Sequence, residues 1–203
     1  MALLPLAPEA ADLATVRGGG LQALDAWRRD AYVADAAGFV ALTQEPKFKL
    51  HTKKSLLKDI HPAPGANEAA VKAGSAAFFA GRILVHEAGA TAVARWASGR
   101  PDALVVALAP VANVRFLEGI NGRVPRVSRA LDPASLVDAE AVATILLNPS
   151  ARETLSESRW LRLEIGTAPN NWTYHTKVTD YLWFSSMFTC LCLARKSLKV
   201  IKV

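Results

Sequence analysis

The sequence predicts an α/β protein: an incomplete Rossmann-like parallel sheet with a helix-rich N-terminal part. Three observations carry this reading. Residues 104–109, L-V-V-A-L-A, form a short apolar run opened after Pro101 and stopped by Pro110. Such a run reads as a strand buried on both faces, the kind a parallel sheet uses. Residues 88–98 just upstream show a helical pattern closed by Gly99, Arg100 and Pro101. Asn113 then stands where the strand gives way to a new helix. Helix, strand, polar turn and helix make half of an α/β unit.

The elements follow in order. Residues 7–16 are a short helix ended by Gly18, Gly19 and Gly20. Those glycines are a hinge and not a phosphate loop, because Leu21-Gln22-Ala23 follows where Gly-Lys-Ser/Thr is needed. Residues 21–43 read as one helix with Leu24, Trp27, Tyr32, Phe39 and Leu42 on its apolar face. Asp25, Asp30 and Asp35 recur every five residues, which on a helix turns the carboxylates apart and away from a shared ion. Pro46 ends that helix. Residues 47–58 are the densest positive cluster, and their alternating start reads as an edge strand. Lys47, Lys49, Lys53, Lys54 and Lys58 are the candidate polyanion contacts, with Phe48 available to stack on a base.

A rigid loop at residues 61–65 precedes Asn67, an N-cap, and Glu68, which suits the positive helix start. The Ala-rich helix runs toward Arg82. Residues 83–85 fit either a short strand or a continuation of one long helix. His86-Glu87 opens a zinc-protease pattern that fails at Ala90, where the second histidine is required. Residues 119–129 are turn-rich and basic, a second anion surface with Arg115, Arg123, Arg126 and Arg129. Asp132 and Pro133 start a further helix, whose apolar face is Leu136, Val137, Val142, Ile145 and Leu146. Another short helix is expected to about residue 158, and residues 160–165 alternate as a strand. At Asn170 alanine gives way to Thr, Tyr, Trp, Phe and Ser, and the tail from there is expected to lie outside the core. Its sequon, Asn171-Trp172-Thr173, is expected to be inert. Residues 195–203 alternate Lys with apolar residues, as a strand, an amphipathic surface anchor or a disordered end.

Three segments result: a helical part at 1–46, an α/β core with a basic entry at 47–169, and a distinct tail at 170–203. The chain has 203 residues, 51% hydrophobic and 21% charged, which excludes whole-chain disorder. A net charge of +6 assists contact with acidic partners without specifying one. Cys190 and Cys192 are the only cysteines and support neither a disulfide framework nor a zinc site, which suits a reducing compartment. The N-terminus lacks a basic region ahead of its apolar residues, and no stretch has the roughly 18 apolar residues of a spanning helix. An intracellular location, cytoplasmic or organellar, is expected.

Ala107-Leu108-Ala109-Pro110-Val111-Ala112-Asn113 resembles the A-L-G-P-L-T-N strand end of the inosine–uridine-type nucleoside hydrolases. Val137-Asp138-Ala139-Glu140-Ala141 is similar to that family's V-D-P-E-A-A helix start, and the resemblance covers about residues 87–167. It implies a Rossmann-like sheet and a calcium ion that binds ribose and activates water. It also implies ligand contacts at Ala112, through its backbone carbonyl, and at Asn113. The family's Asp-rich loop is not reproduced, since Tyr32 replaces its turn glycine and Ala34 an acid between Asp30 and Asp35. Its E-F-N and D-V-T-H segments have no counterpart. No catalytic residue, metal ligand or cofactor is therefore assigned, calcium being expected only with an intact site. The expectation is an abbreviated hydrolase-like chain without efficient N-glycosidic hydrolysis. The alternative is a non-enzymatic basic accessory subunit of a larger assembly, organellar or otherwise, binding protein, RNA or an anionic membrane surface.

Overall fold

The fold is described from a computed structural model, over residues 5–52, 64–100, 102–149, 160–165 and 172–185. One long helix is its axis. Helix α5, Glu68–Ala97, spans 30 residues. At 1.5 Å per residue it is about 45 Å long. The Asn67 side chain accepts a hydrogen bond from the Ala70 N–H at 2.9 Å, so the N-cap acts as expected. Residues 83–85 lie inside α5, and residues 88–97 are its last third rather than a separate helix over a sheet. An alanine-rich stretch without proline has nothing to break it.

Four shorter helices precede it: α1 at Ala10–Gly19, α2 at Ala26–Tyr32, α3 at Ala36–Gln44 and α4 at Pro46–His51. The single helix expected at 21–43 is therefore divided. Asp35 divides it, because its carboxylate accepts from the Gly38 N–H at 2.8 Å and starts a new helix. Pro46 starts α4 as well as following α3; its fixed φ suits a first helical position. Lys47 and Lys49 are thus helical, not on an edge strand.

Helix α6, Ile120–Leu131, occupies the region expected to be a basic turn. Ile120, Val124 and Val127 recur at helical spacing and pack on Ala90 and Ala94 of α5. Small residues let the two helices approach: a Cβ on Gly89 would lie 2.8 Å from Ile120 Cδ1. Beyond α6 the expected helix from Asp132 is absent. Local side-chain bonds win there: Asp132 caps Ala134 N–H at 2.9 Å, and Asp138 accepts from Glu140 and Ala141 N–H at 2.9 and 3.0 Å.

Four short strands complete the described fold. Strands β1, Ile145–Leu147, and β4, Tyr181–Trp183, pair in parallel. Strands β2, Trp160–Ile165, and β3, Trp172–Lys177, pair antiparallel, so the strand expected at 160–165 is present. Helices with a two-stranded parallel sheet agree with the α/β class in its coarse form. The tail expectation is corrected over residues 172–185. Val178 is buried with Phe116 and Leu146, and its carbonyl accepts from the Phe116 N–H at 2.9 Å. Lys53, Lys54, Lys58, His61, Pro101, the helix expected near 150–158, Asn171, Cys190, Cys192 and residues 195–203 lie outside the described residues. No helix among the described residues is long and apolar enough to cross a membrane.

Candidate functional site

Residues 104–109 link the end of α5 to the start of α6, and they are not the buried strand that the pattern suggested. They run extended, and none of their backbone groups pairs with the backbone of another described residue. Leu104, Val106 and Leu108 are 85%, 76% and 81% exposed. Val105 and Ala109 are half-buried, and Ala109 packs against the α5–α6 core. Ala107 is exposed as well, so only Val105 and Ala109 turn inward and the alternation is incomplete. The apolar run misled because its partner strands are missing among the described residues. The segment borders a groove of about 440 Å³ whose other walls include Val85, Val93 and Trp96 of α5 and Ile120 of α6.

Both ends of the segment are fixed. At the N-terminal end, Gly99 takes φ 72° and lets α5 stop. Arg100 stacks over Trp96 at 5.0 Å and donates to the Trp96 carbonyl at 2.5 Å. At the C-terminal end, the Asn113 N–H donates to the Pro110 carbonyl at 2.8 Å, closing a 3₁₀ turn at Val111–Asn113. Asn113 is buried and accepts from Arg82 Nη1 of α5 at 3.0 Å. The chain then doubles back tightly. Phe116 and Leu117 have φ 65° and 59°, and a Cβ on Gly119 would lie 1.9 Å from the Asn113 carbonyl oxygen. Glycine is required at 119 by that close approach.

Beneath this turn lies a buried ionic cluster. Glu87 of α5 is fully buried and accepts from Arg123 Nη1 at 2.7 Å and from Arg126 Nη2. Arg126 also binds the carboxylate of Asp35, so α3, α5 and α6 meet at one network. Burial lowers the Arg123 pKa from its ordinary value, and Glu87 opposes that shift. His51 and His86 are buried beside these cations, and the His51 ring has no hydrogen-bond partner among the described residues. Burial lowers His51 to about 4, helped by Arg115, Lys47 and Arg123. Burial also holds His86 well below its ordinary value, reinforced by Arg123 and Arg82, with the Asn113 amide working the other way. Both imidazoles are neutral at pH 7.

The sequence-derived site residues are dispersed. Ala112 is half-buried in the 3₁₀ turn beside Asn113. Lys47 is paired with Glu118 at 2.7 Å, while Lys49 is exposed and donates to Gln44 Oε1 at 3.2 Å. Two apart on a helix, they face different directions. Asp30 and Asp35 do not converge: the Asp30 carbonyl accepts from Arg95 at 2.7 Å, and the Asp35 carboxylate serves Arg126 and Gly38. Among the described residues no group of three His, Cys, Asp or Glu could hold a metal ion. The ionic cluster escaped sequence reading. Its one linear signal is Arg123 and Arg126, three apart on one helix face, and it was hidden by reading 119–129 as a turn. Comparison with known protein families, characterised proteins and solved structures finds no match to this chain.

Proposed function

We propose that this chain is a non-enzymatic accessory subunit that captures an extended strand of a partner protein along residues 104–109. One observation carries the reading: an apolar extended segment, anchored at both ends, with a backbone unpaired among the described residues and exposed Leu104, Val106 and Leu108. An added strand would satisfy the backbone groups and set its own side chains beside Leu104, Val106 and Leu108, the mode of strand addition. Net hydrogen bonds contribute about 1 kcal/mol each and full burial of an aliphatic side chain about 1.5–3 kcal/mol. In this reading the partner completes the incomplete Rossmann-like sheet, with residues 104–109 becoming its strand.

The competing reading is an abbreviated nucleoside hydrolase. It rests on motif order alone, and the carboxylates it needs, Asp30 and Asp35, stand apart on separate elements. Selection of a phage-displayed library of random nonapeptides against the full chain separates the two. Peptides with alternating apolar residues should be recovered, and Val106→Asp should abolish their binding. Selected peptides that bind the Val106→Asp variant unchanged would refute strand capture. Calcium-dependent release of ribose from inosine or uridine would favour the hydrolase.

A further inference from the structure

The buried ionic cluster presents donors that its own carboxylates do not meet. Arg123 of α6 is 2% exposed. Its Nη1 donates to Glu87, but its Nε and Nη2 have no hydrogen-bond partner among the described residues. Those two nitrogens form the side-on edge of the guanidinium, whose parallel N–H groups match two oxygens of one oxyanion. His51 of α4 is 1% exposed, and neither of its ring nitrogens has a partner among the described residues. Buried polar groups are ordinarily satisfied, because an unmet donor costs its full desolvation.

Three elements bring positive charge to this point. Lys47 stands four residues before His51, on the same face of α4. Arg115 lies in the 3₁₀ turn Arg115–Leu117, whose Phe116 meets the His51 ring edge-on at 6.1 Å. Arg123 reaches in from α6, its guanidinium 5.7 Å from the centre of the Phe48 ring. Burial, then the charges of Arg115, Lys47 and Arg123, lower the His51 pKa to about 4, so all three cations act on one ring. The nearby carboxylates are engaged elsewhere: Glu118 with Lys47 at 2.7 Å, and Glu87 with Arg123 Nη1 and Arg126. The Lys47 side chain is 35% exposed and gives the cluster its open side.

We propose that the Nε–Nη2 edge of Arg123, with His51 and Lys47, binds a phosphate group, as inorganic phosphate or a phosphate monoester. Two phosphate oxygens take the Arg123 edge. The remaining oxygens accept from the His51 ring N–H and from the Lys47 ammonium, which has three N–H donors and so can keep Glu118 as well. A carboxylate would spend both of its oxygens on the Arg123 edge, and chloride has no separate oxygens to divide among these directions. The inference is independent of strand capture, because residues 104–109 supply none of these donors.

Isothermal titration calorimetry of the full chain with inorganic phosphate, at an ionic strength held constant with sodium chloride, tests the proposal. Saturable binding is expected. It should weaken about tenfold or more in Arg123→Lys, which keeps the positive charge but lacks the paired N–H edge. Lys72→Gln, at an exposed lysine of α5, should bind as the unmutated chain does. Competition by glycerol phosphate would support a monoester ligand, and binding of inorganic phosphate alone would support the free ion. Nuclear magnetic resonance of the unmutated chain is the second readout if Arg123→Lys does not fold: phosphate should shift the Arg123 Nε–H and His51 ring resonances. No saturable binding, the same heat from added chloride, undiminished binding by folded Arg123→Lys, or unmoved Arg123 and His51 resonances would overturn the proposal.

Discussion

Glu87 is the residue on which the ionic cluster depends. Its carboxylate balances Arg123 and part of Arg126 in the interior. Breaking a buried pair from one side leaves an uncompensated charge, at a cost of about 3–5 kcal/mol. Urea denaturation of Glu87→Ala should therefore show a loss of that order, and an unchanged midpoint would place Glu87 in water. The two neutral histidines make stability depend on pH. His51 titrates near 4 when folded, against about 6.5 when unfolded. The unfolded chain thus binds the extra proton first as pH falls. Stability is fully present above about pH 6.5 and is lost through the window down to about 4, by about 3 kcal/mol for His51. His86 shifts in the same direction. His51→Phe should flatten the decline of melting temperature between pH 6.5 and 4; a slope identical to the unmutated chain would remove His51 as its source. Neither histidine stands out in sequence, beyond the failed metal spacing of His86, because neutrality here is created by three-dimensional burial beside cationic side chains.

At the scale of elements, the exposed segment and helix α6 make opposite predictions for the same substitution. Val106→Asp adds a charge to an exposed side chain and should change stability by less than about 0.5 kcal/mol. Val127→Asp places it in the α5–α6 core, where Val127 is fully buried, and should unfold the protein. Equal melting curves for both variants would contradict this assignment of inside and outside. Elements with local signals were legible in the sequence. Asn67 and Glu68 marked the start of α5, and alternation marked β2. The glycines at 18–20 close α1. Residues 104–109 were misread because an apolar run states that a segment wants burial, not that this chain provides it. Helix α6 was misread because Gly119, Gly122 and Pro125 obscure a sound apolar stripe at Ile120, Val124 and Val127. The candidate site was legible only as that apolar run with Asn113 at its end. Its anchors, Arg82 and Gly119, come from contacts between elements and leave no pattern in the linear order.

At the scale of the whole molecule, large apolar side chains are exposed at residues 104–108 and on β1 and β4, in a chain of net charge +6. Parts of the tail belong to its packing: β3 and β4 pair with earlier strands, and Val178 fills a core cluster. Removing residues 172–203 should lower the melting temperature and expose Phe116 and Leu146, and an unaltered transition would show that those contacts contribute nothing. The central claim is that residues 104–109 are an unpaired strand awaiting a partner. Backbone amide hydrogen exchange of the isolated chain, repeated with a selected strand peptide, tests it most directly. Amides from Val105 to Ala109 should exchange near the unprotected rate alone and become protected when the peptide binds, while α5 stays protected throughout. Amides at 105–109 that are already protected in the isolated chain, or that stay unprotected with the peptide bound, would contradict it.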